Sequence, residues 1–501
     1  MDVSRKAQRA STTQNPLRGV FLPVALAALV GYGVALAVLP LPLAAGLGVG
    51  VFVVLAVMAQ PLAGLALLTL AVPFGSPFNA QIGNFNFGPT EILFALTMAA
   101  WLGRKAIERE LNPSARAGSR VIPPVVWTLG VFLFAIALTL TTTHSLPESL
   151  KELIKWAEVL LITLFTANAL KREHLPAALT LILLAAAVEA AIGLYQTFTG
   201  AGPEPFIVPL AGRLIMRSYG TFEQPNPFAA YLNFSLPIAV SLMLGLVFEK
   251  TRSADRVGAA AFKVSPAMLT TVAALTLPVI AGAFFFSLSR GAWLGFALAL
   301  VVMVALRSRR AFLLFSLLVL ATAATLTLGS LNILPSTITQ RIADIPVFLG
   351  LNLFDPRAVV LTDENFAIVD RMAHWFAAWN MFSDFPWLGV GIGNYSVVYA
   401  QYGLREWTFS LGHAHNFYLN MLAEAGLIGL AAYLLMTVSV LGFAWRTAQR
   451  AQGVWRAVAF GILGALTALS AHNFFDNLYV HGMNIQFGLL LGILGRIDTE
   501  E

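Results

Sequence analysis

Stretches of about twenty apolar residues recur from one end of this 501-residue chain to the other. That single feature limits the fold more than any other. A helix needs roughly 20 apolar residues to cross about 30 Å of hydrocarbon, and in lipid its backbone must satisfy its own hydrogen bonds. Spans are therefore expected at about 20–40, 43–59, 61–74, 90–103, 123–142, 151–169, 175–197, 228–248, 266–287, 291–306, 311–329, 415–444, 457–473 and 484–497. The third and fourth are short for a bilayer, so the expectation is twelve to fourteen transmembrane helices in an all-α polytopic integral membrane protein. Only 11% of the residues are charged, against roughly a quarter in a soluble domain.

Charge sets the orientation. With the N-terminus in the cytoplasm, the inside segments collect most of the 31 lysines and arginines, among them Arg5, Lys6, Arg104, Lys105, Arg307, Arg310, Arg446 and Arg450. Such clustering is what the positive-inside rule asks for. It also removes the net charge of +6 as a sign of nucleic-acid binding. The nine bases left outside are Lys151, Lys155, Arg213, Arg217, Arg290, Arg341, Arg357, Arg371 and Arg405. No small-residue cleavage site follows the first apolar run, so a retained span is expected rather than a signal peptide. The chain divides into a cytoplasmic tail (1–19), helices (20–329), a large outer loop (330–414) and C-terminal helices (415–497). No internal repeat is apparent. The loop is rich in Trp, Phe and Gly, unlike a disordered segment.

Within that loop, DRMAHWFAAWNMFSDFPWLGVGIGN (Asp370–Asn394) reads as an amphipathic helix ended by a Pro/Gly turn. Arg371, Trp375, Ala378 and Phe382 share a face, with His374 nearby, as suits a helix along a membrane boundary. GVGIGN (389–394) resembles a nucleotide-binding glycine loop only superficially, because no strand precedes it. It is expected to be a turn.

Four places carry candidate chemistry. Arg290, in FFFSLSRGAWLGF, sits between two apolar spans, where a charge needs a partner. That partner is either a carboxylate such as Glu158, Glu189 or Glu424, or an anionic ligand held by paired hydrogen bonds. Arg217 and Arg371 each read alone as ordinary interfacial bases; converging with Arg290 they would cradle a pyrophosphate. His415 and Asn416 open the last long span. Asn416 is expected to cap the helix, while His415 is a neighbour of that cap, a general base, or a metal ligand with His413 and His374. The metal reading is the weakest, since no carboxylate lies at a matching offset in sequence. Glu424 lies two to three turns deeper, placed to orient a partner or to pair with an arginine. There is no cysteine, so disulfides and thiolate metal sites are excluded.

Taken together, SLSRGAWLG (287–295), RMAHWFAAWNMFSDFPWLGVGIGNY (371–395) and HAHNFYLNMLAEAGLIGL (413–430) resemble the O-antigen ligase and polymerase superfamily, and RSYGTFEQPNPFAAYL (217–232) looks like its upstream motif. The resemblance implies a helical fold related to the C-type glycosyltransferases, working on the periplasmic side of the bacterial inner membrane. It implies an undecaprenyl-diphosphate-linked glycan as donor and lipid A–core, another glycan or a protein hydroxyl as acceptor, with no cofactor, no metal and no nucleic acid. Carried over by motif, His415 is the base and Arg290 and Arg371 hold the diphosphate, with Arg217 a third. His413 is a departure, so placing the base at the second histidine rests on its neighbour Asn416. Ligase is the first expectation, polymerase the second, and protein O-oligosaccharyltransferase the third. The rival outside the class, a lipid-linked glycan transporter, would be expected to show repeat symmetry and charges at mid-membrane.

Overall fold

The computed structural model of the chain describes residues 17–38, 40–78, 80–82, 85–111, 121–210, 212–248, 264–308, scattered positions between 310 and 320, and 366–499. The expected tail, most of the expected span at 311–329 and the first part of the long loop lie outside the described residues. The helices run α1 (Leu17–Val38), α2 (Leu41–Ala59), α3 (Pro61–Phe74), α4 (Pro89–Leu111), α5 (Val125–Leu138), α6 (Leu146–Ala169) and α7 (Leu175–Thr199). They continue as α8 (Pro225–Phe248), α9 (Pro266–Phe286), α10 (Arg290–Arg307), α11 (Phe366–Asp384), α12 (Tyr395–Tyr402), α13 (Phe417–Arg450), α14 (Gly453–His472) and α15 (Met483–Asp498). Two small antiparallel hairpins are the sheet structure among the described residues. They are β1 (Ala80–Ile82) with β2 (Phe85–Phe87), and β3 (Ile207–Leu210) with β4 (Arg213–Met216), where Leu210 faces Arg213.

Among the described residues, six helices are long and apolar enough to cross a membrane: Arg172–Thr199, Pro225–Leu246, Pro266–Phe286, Arg290–Arg307, Phe417–Arg450 and Gly453–His472. The protein is an all-α polytopic membrane protein. The sequence expectation of twelve to fourteen also counts shorter apolar segments, helices with charged turns and a span mostly outside the described residues. The segments Leu43–Ala59, Pro61–Phe74 and Val125–Thr141 are apolar but shorter. The fourth expected span does not stop at 103; α4 runs on to Leu111 through a charged last turn. Helix α6 carries Glu148, Lys151, Glu152, Lys155 and Glu158. Its two lysines are paired along the helix, Lys151 with Glu148 at 2.7 Å and Lys155 with Glu152 at 2.6 Å, one helical turn apart.

Contacts divide the chain into two units. In the first, Met1–Leu65 with Ala95–Pro113, Arg104 Nη2 donates to the Ala59 carbonyl at 2.5 Å. The second, Ala66–Phe94 with Ser114–Glu501, contains every candidate residue. Small residues let its helices approach closely, as is common between helices in lipid. A Cβ on Gly492 of α15 would lie 2.8 Å from the Thr163 carbonyl of α6, and Thr163 Oγ1 donates to the Gly488 carbonyl at 3.1 Å.

Helix α13 is broken, and the break positions the loop beside it. Gly426 has φ 61° and ψ −163°. Val390 N takes the Ala423 carbonyl at 3.0 Å, so Leu427 N and Ile428 N turn to the carbonyls of Pro386 and Trp387 at 2.8 and 3.2 Å. The backbone of 386–390 is thus stitched into the gap in the helix ladder, and every one of these buried groups keeps a partner. Helix α11 accordingly does not lie free along a boundary. Its buried stripe is Val369, Met372, Ala373, Ala377 and Met381, and Ala377 and Met381 pack in one cluster with Tyr395, Tyr399, Ala414 and Ala423. The expected face of Arg371, Trp375 and Phe382 is half-buried beside that stripe.

The break gives a stability prediction. A Cβ at Gly426 would run into the Trp387 carbonyl at a positive φ, whereas one at Gly442 of the same helix meets nothing within 4 Å. Gly426→Ala should cost at least the roughly 1–3 kcal/mol of a strained backbone conformation and lower the melting temperature in detergent, and Gly442→Ala should leave it unchanged.

Candidate active site

The upstream motif is a loop clamped from α7. Gln196 Nε2 donates to the Gly220 carbonyl and Gln196 Oε1 accepts from Gly220 N, both at 2.8 Å, while Glu189 Oε1 accepts from Thr221 N at 2.6 Å. Gly220 has φ +58°, and a side chain there would collide with Glu189, so this turn needs glycine. The clamp aims Arg217 across to the end of α9. Its Nε donates to the Ser287 carbonyl at 2.7 Å and its Nη2 to Asn226 Oδ1 at 3.3 Å.

Arg290 is the first residue of α10, and Arg371 lies in the second turn of α11. The three arginines, far apart in sequence, line one cavity of about 120 Å³ together with Asn226, Ser289, Gly291, His472 and Phe475. That is room for several waters, walled mainly by cationic and polar groups. Glu189, Glu158 and Glu424, the carboxylates considered for Arg290, hold other groups: Thr221, Asn484 Nδ2 at 2.9 Å, and the Tyr395 amide at 2.8 Å. Glu424 therefore anchors the glycine turn to α13. That turn has positive φ at Gly389, Gly391 and Gly393 and is a packed corner, with Asn394 Nδ2 donating to Thr143 Oγ1 and Ser149 Oγ.

Asn416 caps α13 as expected, its Oδ1 accepting from Tyr418 N at 3.0 Å and Leu419 N at 3.1 Å. His415, just before the cap, has φ +50°. Its N donates to His413 Nδ1 at 3.0 Å, and the two rings lie 4.5 Å apart. His374 is buried on the third side, with its ring 5.5 Å from that of His415 and its Nδ1 3.1 Å from Tyr395 Oη.

What joins histidines to arginines is Asp476, in the loop after α14. Its Oδ1 lies 3.6 Å from His415 Nδ1 and 3.8 Å from His413 Nε2, and its Oδ2 accepts from Asn226 Nδ2 at 3.0 Å. Burial by itself would raise its carboxyl; the imidazoles of His415 and His413 and the Arg371 guanidinium outweigh that and hold it well below the usual carboxylate range. Both ring nitrogens of His415 are buried, and neither makes a hydrogen bond. The 3.6 Å approach to Asp476 is longer than a hydrogen bond, as catalytic pairs often are before substrate binds.

The structure thus gathers Arg217, Arg290 and Arg371 around the cavity and His374, His413 and His415 beside it, and it turns Glu424 away to the corner. Asp476, Asn226 and His472 were not singled out in the sequence. A signal for two of them was there: AHNFYLN (414–420) and AHNFFDN (471–477) are the same Ala-His-Asn-Phe-x-x-Asn, so the chain does carry a short internal repeat. The copies meet in space, Phe417 N donating to the Asn473 carbonyl at 2.8 Å and Tyr418 Oη to the Ser470 carbonyl at 2.8 Å. The carboxylate missing from the sequence neighbourhood of His413 and His415 is supplied by the second copy. Two overlapping sets, Asp370–His374–His415 and His413–His415–Asp476, have donor atoms within 4.8 Å of one another and could hold a metal ion. A metal on either set would occupy His415.

Apolar helices with a cationic cavity and a histidine–carboxylate cluster at one end define a multi-pass membrane enzyme. Residues 272–434, a segment that contains Arg290, Arg371, His413 and His415, match the family model of the O-antigen ligases. The match supports a membrane enzyme of O-antigen ligase or polymerase type. Among curated proteins none matches the chain.

Burial, with help from His415 and His413, pushes His374 down to about 4. Unfolded, this histidine titrates near 6.5. The unfolded chain therefore binds the extra proton first, and stability falls as pH drops from about 6.5 through 4. His374→Gln should lose less melting temperature than the wild type between pH 7 and pH 4.5.

Proposed function

We propose that the protein transfers a glycan from undecaprenyl diphosphate to a sugar hydroxyl such as that of lipid A–core, on the periplasmic face of the bacterial inner membrane. The single observation that carries this reading is the convergence of Arg217, Arg290 and Arg371, from three separate segments, on one cavity beside His415. Guanidinium groups bind phosphate oxygens with paired hydrogen bonds and stay charged. They would offset the charge that develops on a departing diphosphate, the task a divalent cation performs elsewhere.

His415 takes the proton of the acceptor hydroxyl as its oxygen attacks the anomeric carbon. The glycosidic bond to phosphate breaks on the opposite face, its electron pair leaves with the diphosphate, and configuration inverts in one step. Asp476 orients the imidazole and stabilises the imidazolium that forms, a role a buried ionised carboxylate fills well. Asn226, hydrogen-bonded to both Asp476 and Arg217, ties the base to the leaving-group site. The packed corner behind α11 keeps that geometry rigid.

Two outcomes test this with purified protein and a lipid-diphosphate glycan. His415→Ala should lower turnover by about 100-fold or more with the fold intact, while Arg290→Ala and Arg371→Ala raise the KM for the donor far more than that for the acceptor. Full activity in His415→Ala, or equal effects on both substrates, would end the reading. Offering lipid A–core and a second lipid-linked glycan as competing acceptors separates ligase from polymerase. Chelation should leave the rate unchanged, since arginines carry the charge; loss of activity with EDTA, restored by a divalent ion, would instead favour the His413–His415–Asp476 metal site.

A further inference from the structure

His472 has no role in the reaction as described, yet the structure builds a place for it. It is the last residue of α14 and 1% exposed, it lines the cavity with the three arginines, and its Nδ1 has no hydrogen-bond partner. Helix α10 makes room for the ring. A Cβ at Gly291 would sit 2.7 Å from His472 Cδ2 and 3.1 Å from its Nε2, and one at Gly295 would sit 2.6 Å from the Ala468 carbonyl. The glycines of SRGAWLG, four residues apart on one helix face, thus seat an imidazole against the turn that begins with Arg290. The duplicated Ala-His-Asn-Phe-x-x-Asn places one histidine against Asp476 and the other inside the cationic cavity.

We infer that His472 is a binding residue for the diphosphate of the donor, its imidazole donating a hydrogen bond to a phosphate oxygen beside Arg290. This rests on the reading of the cavity as the diphosphate site. Phosphate oxygens in the ionised donor accept and do not donate, so the ring must present an N–H. A buried nitrogen without a protein partner leaves the ring free to adopt the tautomer that does so. The charged groups that act on it are Asp476 and Arg371, of opposite sign. No proton is transferred in this role: His415 takes the acceptor's proton, and His472 keeps its own. A neutral donor also grips the phosphate without adding a fourth fixed positive charge, which would hold the product diphosphate too tightly for release.

The test is the affinity of inorganic pyrophosphate for the full-length protein in detergent, by calorimetry and by competition with the lipid-linked donor. His472→Phe fills the same space without a donor and should weaken pyrophosphate about tenfold or more, as expected for a lost hydrogen bond to a charged group. His472→Gln keeps an N–H and should stay within about threefold of wild type. If the Phe variant does not fold, His472→Leu carries the same comparison. Wild-type affinity in the apolar variant, or equal losses in the apolar and Gln variants, would overturn the inference. Arg290→Ala run alongside tells the two readings apart. If it weakens pyrophosphate and His472→Phe does not, this inference alone fails; if neither does, the diphosphate site itself is misplaced.

Discussion

A buried carboxylate between a guanidinium and a pair of imidazoles holds this site together. Asp476 is 6% exposed, in a loop between two helix ends. An isolated ionised carboxylate there would be strongly disfavoured, so its charge survives only because neighbours compensate. Imidazoles approach one oxygen, the Asn226 amide bonds the other, and Arg371 contributes through space. Removing the carboxylate would take away the negative charge that acts on Arg371 and the acceptor that holds Asn226. The same group therefore links the guanidinium-lined cavity to the imidazoles.

That arrangement needs a rigid frame, and the frame comes from letting a loop complete a helix. The broken ladder at Gly426 exchanges hydrogen bonds with 386–390, and Glu424, just before the break, accepts from Tyr395 N. Helices α11 and α12 are thereby fixed to α13, so Arg371 and His374 are registered against His415, which precedes the same helix. Irregular backbone next to apolar helices is tolerated where its polar groups are satisfied by protein, and here the Ala423 carbonyl and the Leu427 and Ile428 amides find partners in 386–390. The left-handed backbone at His415, unusual for a residue with a side chain, persists because the Asn416 cap fixes the first turn of α13 immediately after it.

Much of this was legible in the sequence, and the limits have physical causes. Arg290 stood out because a charge between apolar runs demands a partner, and His415 because a titratable ring precedes a capping asparagine at the mouth of a span. Arg217 and Arg371 were visible as bases on the outer side, but convergence is a property of folding and no local pattern encodes it. Glu424 drew attention for the same reason as Arg290. Its partner proved to be a backbone amide, which has no side-chain signature to find. Asp476 and His472 lay past the motifs that attract notice, in a seven-residue repeat too short to register against the apolar periodicity around it. Helix α6 was legible as a span only from residue 151, since its charged first turns read as loop until the i,i+3 pairs that neutralise them are seen.

The division of labour across Asp476 also gives the reaction a direction. Permanent charge lies on one side, in guanidinium groups that cannot release a proton at any working pH. His413 and His415 lie on the other, where burial pushes His413 down to about 4 against the pull of Asp476. His413 and His374, both held near 4, stay neutral at physiological pH, so on the proposed mechanism the positive charge that forms as the hydroxyl gives up its proton falls on His415. On the proposed mechanism, a cation that appears beside Asp476 as negative charge moves onto the diphosphate keeps the net charge of the buried region constant through the step. In a low-dielectric setting such compensation matters more than any single contact.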